Sequence, residues 1–287
     1  MNGINIAHMK PTSDWEYEFS LMASWGVKGI RFRADDFIEN MEIKSLLKCM
    51  SVAFEYDISI IMTLPSKSLY PNYTSYTTEN NLMQWAKVMQ VLNNNPAIIG
   101  YEIMNEPNHL KGAEWDEHLP LIINTLRQFT YAPIVINSGT GMFRFTKPVQ
   151  GKHIHYSNND YEPFSYTHNG VNMGVVEKTY PGMTAWDNMS SSNRIWNYQG
   201  IKDSLQTLRD FQLKYNANIF VGEFSVQATR GGSLGDTEFL EDHIKIYNEY
   251  DWDWYYWGHT VREDRNNEMI FDAVGERLEM LKGYWDD

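Results

Sequence analysis

The 287-residue sequence holds a single cysteine, Cys49, which excludes an internal disulfide and, with no cysteine cluster, a thiolate zinc or iron–sulfur site. Positive charge is scarce: 24 Lys and Arg stand against 37 Asp and Glu, a net charge of −13, so a phosphate-tracking surface and nucleic acid as a partner are disfavoured. No apolar run approaches the ~20 residues that a membrane-spanning helix requires. A glycine-rich phosphate loop is also missing, because Gly3-Ile4-Asn5-Ile6-Ala7 departs from the dinucleotide-binding pattern and counts against a doubly wound sheet. That opening reads as a core strand, without the basic region and apolar stretch of a leader. Aromatic residues, in contrast, reach 14%, with 10 Trp and 18 Tyr, many in polar segments where a flat ring can stack on a ligand.

Short apolar segments alternate with longer amphipathic ones along the whole chain, the signature of repeated βα units. The pattern predicts strands over Gly3 to Ala7, Gly29 to Arg33, Ile58 to Leu64, Ile98 to Met104, Ile134 to Asn137, His153 to Ser157, Ile219 to Glu223 and Trp252 to Trp257. It predicts helices over Asp14 to Trp25, Phe37 to Tyr56, Glu79 to Leu92, Trp115 to Tyr131, Arg194 to Tyr215, Thr237 to Tyr250 and Glu268 to Leu281. Only the fifth crossover lacks a long helix. Eight such units in 287 residues imply an α/β fold, a single (β/α)8 TIM barrel forming one domain over residues 1–287, with the strand C-termini converging on one face.

Two of these strands deliver a glutamate to that face. Ile98-Ile99-Gly100-Tyr101-Glu102-Ile103-Met104-Asn105-Glu106-Pro107 turns from apolar to polar at its end, and Pro107 stops simple strand pairing, so Glu106 stands where strand gives way to loop. Ile219-Phe220-Val221-Gly222-Glu223-Phe224 repeats the pattern with Glu223. Taken singly, Glu106 reads as a solvated loop acid with Asn105 serving turn geometry, and Glu223 as a member of a structural ion pair. Together, 117 residues apart, they supply what glycosidic hydrolysis needs: a proton for the departing oxygen and a negative group for the oxocarbenium-like carbon. Spacing alone leaves retention and inversion both open.

The opening segment, Val27-Lys28-Gly29-Ile30-Arg31, Asn105-Glu106-Pro107, Gly222-Glu223-Phe224 and the late aromatic strand ending at Trp257 together resemble glycoside hydrolase family five. That family contains many endoglucanases, mannanases and related β-glycanases. The resemblance implies a retaining double displacement, with Glu106 as general acid and then base and Glu223 as nucleophile. It implies further that Arg31 and Tyr161 support the nucleophile, that Asn105 holds the sugar 2-hydroxyl, and that Trp257 forms the platform beneath the sugar. Trp186 and Trp254 are weaker platform candidates, and His168 is a turn residue that either bridges loops or touches substrate.

Two positions depart from the family pattern. Asn159 occupies the place of a histidine, which keeps a donor and an acceptor but loses a titratable ring. After the third strand, Thr63-Leu64-Pro65 stands where relatives carry an aspartate and one or two histidines; Tyr70, Tyr73 and Tyr76 nearby are candidate stacking residues. His153 and His155 alternate on one strand without a third ligand and read as hydrogen-bonding groups, so no metal and no cofactor is expected. The expected partner is a β-linked polysaccharide or oligosaccharide, most simply β-1,4-glucan, with mannan or binding without efficient cleavage as alternatives. A polymeric substrate implies secretion, and Asn72-Tyr73-Thr74 and Asn188-Met189-Ser190 match the short glycosylation pattern.

Overall fold

Segments rich in Ile and Val favour the extended backbone, and in the computed structural model they form the inner wall of the molecule. The structure describes all residues except 8, 35–36, 38–41, 64–78, 108–111, 141–142, 144, 172–173, 228–232, 261–270 and 287. Eight strands, β1 (Gly3–Ala7), β2 (Gly29–Arg33), β3 (Ser59–Thr63), β4 (Ile98–Glu102), β5 (Ile134–Thr140), β6 (Ile154–Asp160), β7 (Asn218–Phe224) and β8 (Asp253–Thr260), close into a barrel in the order β1-β8-β7-β6-β5-β4-β3-β2. Every pairing in the ring is parallel. The amphipathic segments become helices that bury their apolar stripes in one core with the strands' outer residues, Leu46, Met50 and Ala53 in the same cluster as Ile30 and Met62.

Residues pointing inward fall into two layers. Near the strand N-termini, Ile61, Val135, Phe220 and Tyr255 form a closed apolar cluster with Ile99 against it. The Tyr255 ring occupies space that Gly29 leaves free, since a Cβ there would lie 2.5 Å from its hydroxyl. Toward the C-termini the interior becomes polar: Asn5, Arg31, Thr63, Glu102, Asn137, Ser157, Asn159 and Glu223 are all buried.

A bulge in β7 makes the upper layer possible. Val221 pairs with Asn158 and Glu223 with Asn159, so Gly222 is passed over in the register. Strict alternation would send Glu223 outward; the extra residue lets Gly222 and Glu223 face in together. A Cβ at Gly222 would stand 2.6 Å from Ser157 Oγ and 2.9 Å from Asn159 Oδ1. The glycine therefore leaves room for neighbouring side chains inside the barrel.

Local chemistry explains where the helices depart from expectation. The predicted Arg194 to Tyr215 helix divides into a strand, Ser192–Ile195, and two helices, Tyr198–Ser204 and Gln206–Tyr215. Asn197 starts the first of these by accepting the Gly200 N–H at 2.9 Å. The strand pairs antiparallel with Thr184–Asp187, and buried Asp187 anchors that hairpin by accepting from Arg194 Nε at 2.8 Å and Ser190 Oγ at 2.9 Å. Between β5 and β6 no helix forms among the described residues, as the sequence pattern suggests.

Candidate active site

Arg31 on β2 is fully buried, and its charge is met by four acceptors. Nε donates to Glu102 Oε2 at 2.6 Å, Nη1 to Glu223 Oε1 at 2.7 Å and Asn5 Oδ1 at 2.9 Å, and Nη2 to Asn105 Oδ1 at 2.6 Å. Asn5 is itself oriented by donating to the Gly222 carbonyl at 2.8 Å. Burial opposes the guanidinium charge, but the carboxylates of Glu102 and Glu223 outweigh it and raise the group above its ordinary value. The cation is permanent and its direction fixed.

Glu223, at the end of β7, is 5% exposed. Its Oε2 accepts the Tyr161 hydroxyl at 3.1 Å while Oε1 accepts from Arg31. Burial pushes this carboxyl above the usual range, Arg31 and Arg33 pull against the shift, and the negative charge of Glu106 adds to it. Burial and then the charges of Glu223 and Glu106 hold the Tyr161 phenol well above its ordinary range, so it stays protonated and donates.

Glu106 lies four residues past the end of β4 with φ of +45°, the left-handed region that side chains other than glycine enter at a cost. That turn brings its carboxyl to the mouth of the barrel, half-buried, where Asn159 Nδ2 donates to Oε1 at 2.8 Å. Asn105 shares the turn; besides accepting from Arg31, it stands 3.4 Å from Asn159 Nδ2. The two acids thus lie near enough for the charge of Glu106 to act on Glu223, with unlike surroundings: Glu223 enclosed between a cation and a phenol, Glu106 half open and held by an amide. Environments that separate two carboxyls in this way divide an acid's work from a nucleophile's.

The other sequence candidates are placed as follows. Trp257 on β8 is half-buried and registers opposite Asn5, next to the polar layer. Trp186 lies on the outer face of the Thr184–Asp187 hairpin strand and is 50% exposed. Trp254 is corrected: it is fully buried, donates from Nε1 to Asn248 Oδ1 at 3.0 Å and meets Phe224 and Tyr284 edge-on, so it belongs to the layer between barrel and helices and meets no sugar. Its position on the strand, three residues before Trp257, explains this, because odd spacing reverses the face. His168 stacks on Phe164 at 3.9 Å and meets the Tyr161 ring edge-on at 5.0 Å, and burial pushes its pKa down to about 4. It is a neutral brace behind Tyr161. Tyr70, Tyr73 and Tyr76 lie outside the described residues. His153 and His155 stand at the opposite, N-terminal end of β6, and among the described residues no group of His, Cys, Asp and Glu could hold a metal ion.

Three buried side chains of this site escape motif reading. Glu102 ends β4, while Asn5 stands at the middle of β1 and Asn137 at the middle of β5, all three buried, and an ionisable or amide residue next to the apolar residues of a barrel strand is the signal that points to them.

A family model described as Cellulase (glycosyl hydrolase family 5) matches residues 1–262. No curated protein matches the sequence. Among solved structures, an endoglucanase superposes with a TM-score of 0.76 at 18% identity, covering 98% of this chain and 96% of its own. Thermotoga maritima Cel5A in complex with mannotriose gives 0.75 at 16%, with the same coverage. The cellulose synthase subunit Z from Clostridioides difficile gives 0.73 at 15%, covering 98% of both chains. The structural likenesses carry the barrel, the sequence model carries the lineage, and the chain belongs to the cellulase family, glycosyl hydrolase family 5.

Proposed function

We propose that the protein is an endo-acting, retaining β-glycoside hydrolase that cleaves β-1,4-glucan by double displacement. Glu223 attacks the anomeric carbon while Glu106 protonates the departing oxygen; water deprotonated by Glu106 then releases the sugar from Glu223. The observation that carries this reading is the unequal treatment of the two acids. Arg31 and Tyr161 bind both oxygens of Glu223, which aims a carboxylate as a nucleophile needs. Glu106 is half open and keeps an oxygen for a proton. Asn105 stands beside Glu106 to receive the 2-hydroxyl, and half-buried Trp257 offers an indole face to the C–H side of a sugar.

The names of structural relatives add weight: endoglucanases recur among chains that match along nearly the full length. A second reading, mannan as substrate, is favoured by one observation, since Thermotoga maritima Cel5A has been seen with mannotriose as well as cellobiose. Binding without cleavage is opposed by the complete supports around Glu223. An extracellular site of action follows from the size of the substrate.

The test is release of reducing ends from carboxymethyl cellulose, mixed-linkage glucan, xyloglucan, mannan and xylan. The expected result is turnover highest on a β-1,4-glucan, with the first product in the β-anomeric form by proton NMR. Silence across the panel rejects hydrolysis, and an initial α-anomer rejects the nucleophile.

A further inference from the structure

Glu102 is fully buried in the barrel and bonds to neither acid directly. Its contacts nevertheless run toward both. Through Oε2 it accepts from Arg31 Nε at 2.6 Å and from Thr63 Oγ1 at 2.7 Å. Through Oε1 it accepts from Asn137 Nδ2 at 3.0 Å. Arg31 carries on to Glu223 at 2.7 Å. Asn137 carries on to Asn159, whose Oδ1 accepts from the same Nδ2 at 3.3 Å, and Asn159 donates in turn to Glu106 at 2.8 Å.

From this branching we infer that Glu102 is the positioning residue for both catalytic acids, holding Arg31 against Glu223 with one oxygen and, through Asn137, fixing the amide of Asn159 toward Glu106 with the other. The inference deepens the proposed hydrolytic reading and rests on it.

The chemistry of each branch is specific. An amide has two faces, and Asn159 gives its N–H to Glu106 only while its oxygen is claimed; Asn137, anchored by a carboxylate that can only accept, makes that claim. On the other branch a single guanidinium serves two carboxylates, so Glu102 takes a share of a charge that would otherwise stabilise Glu223 alone. The two departures from the family pattern are joined by the same residue. Thr63 bonds Glu102 directly, and Asn159 depends on it through Asn137. The side chains of Thr63, Asn137 and Asn159 carry no titratable group, so none of these three changes charge where a histidine would.

Groups facing Glu223 from the surrounding elements are Arg31 and Arg33 of β2, Glu106 beyond β4 and Tyr161 beyond β6, with Glu102 across the guanidinium. Replacing Glu102 by glutamine keeps the size and one accepting oxygen for Arg31 and Thr63, turns the other end into a donor that Asn137 Nδ2 cannot meet, and removes one negative charge from this set. Arg31 then favours the ionised nucleophile more strongly, and the acid limb of the kcat/KM profile moves to lower pH, on the order of one unit.

The test compares wild type, Glu102→Gln and Asn137→Ala on a glucan and on an aryl glycoside with an activated leaving group, across pH. Glu102→Gln is expected to show the downward shift. Asn137→Ala is expected to lose roughly tenfold more activity on the glucan than on the activated glycoside, a part of the ~10²–10⁴-fold that acid catalysis supplies. An unmoved acid limb in folded Glu102→Gln overturns the inference, as does equal loss on both substrates in Asn137→Ala. Should Glu102→Gln fail to fold, the Asn137→Ala ratio decides. An inactive wild type would instead reject the hydrolytic reading.

Discussion

The two layers inside the barrel are built on one set of strands and have opposed chemistry. The lower layer, Ile61, Val135, Phe220 and Tyr255, is apolar and makes its contribution by excluding water, at about 25 cal/mol per Å² of apolar surface buried. The upper layer holds Arg31 between Glu102 and Glu223, an arrangement in which desolvation consumes much of the Coulombic gain. The contrast teaches that stability and reactivity occupy different heights of one structure: the floor keeps the strands in register, and the register keeps three charges in a geometry they would not adopt on their own account.

The largest effect that bears on this division is expected from Glu223→Gln. Turnover should fall by roughly 10⁴-fold or more, while thermal unfolding shows a melting temperature at neutral pH no lower than wild type. Arg31 keeps Glu102 as a partner, so no uncompensated charge is left. The sign follows from burial, which raises the Glu223 carboxyl in the folded state. A raised carboxyl is at no disadvantage below its unfolded pKa and costs stability as pH rises through its folded pKa. Any advantage of the glutamine variant should therefore shrink as the pH is lowered through that range, and a gap that widens would contradict the assigned shift.

Phe220→Ala attacks the floor instead. A loss of about 3–5 kcal/mol in denaturant unfolding is expected from the cavity, with the pH profile of the folded fraction unchanged. A shifted profile would show that the layers are not separable. Gly222→Ala strikes the junction between them, where the added methyl meets Ser157 and Asn159. A cost of about 1–3 kcal/mol from overpacking is expected, accompanied by lost activity, because Glu223 is the next residue and Asn159 holds Glu106. Retained activity would mean that the bulge re-aims nothing. Smallest is Trp186→Ala at the half-exposed hairpin, where stability should stay within about 0.5 kcal/mol and any change should appear as a higher KM on long glucans alone.

The barrel was legible in the chain because eight apolar segments recur with helical spacers, and β1 and β2 span the same residues as the strands that the pattern predicts. The acids were legible because a charged residue at the mouth of an apolar strand stands out, as Glu106 and Glu223 do. What stayed hidden lay one turn deeper or one face away. Glu102 sits in the same motif as Glu106, yet spacing does not reveal that its carboxylate serves both branches. Trp254 and Trp257 share an aromatic run, and the pleat sends them to opposite sides. The helix expected from Arg194 onward contains a strand because buried Asp187 claims Arg194 and Ser190, partners that local propensity cannot see.

Sequence by itself determined the eightfold alternation, the acidic and aromatic character, and which strand ends carry carboxyl groups, since all of these depend on residue type and period along the chain. Only the tertiary structure decided which carboxyl is enclosed and which is open, where the Gly222 bulge turns Glu223 inward, and that Glu102 joins the two acids. Those outcomes depend on distances between strands far apart in sequence, and such distances exist only once the barrel has closed.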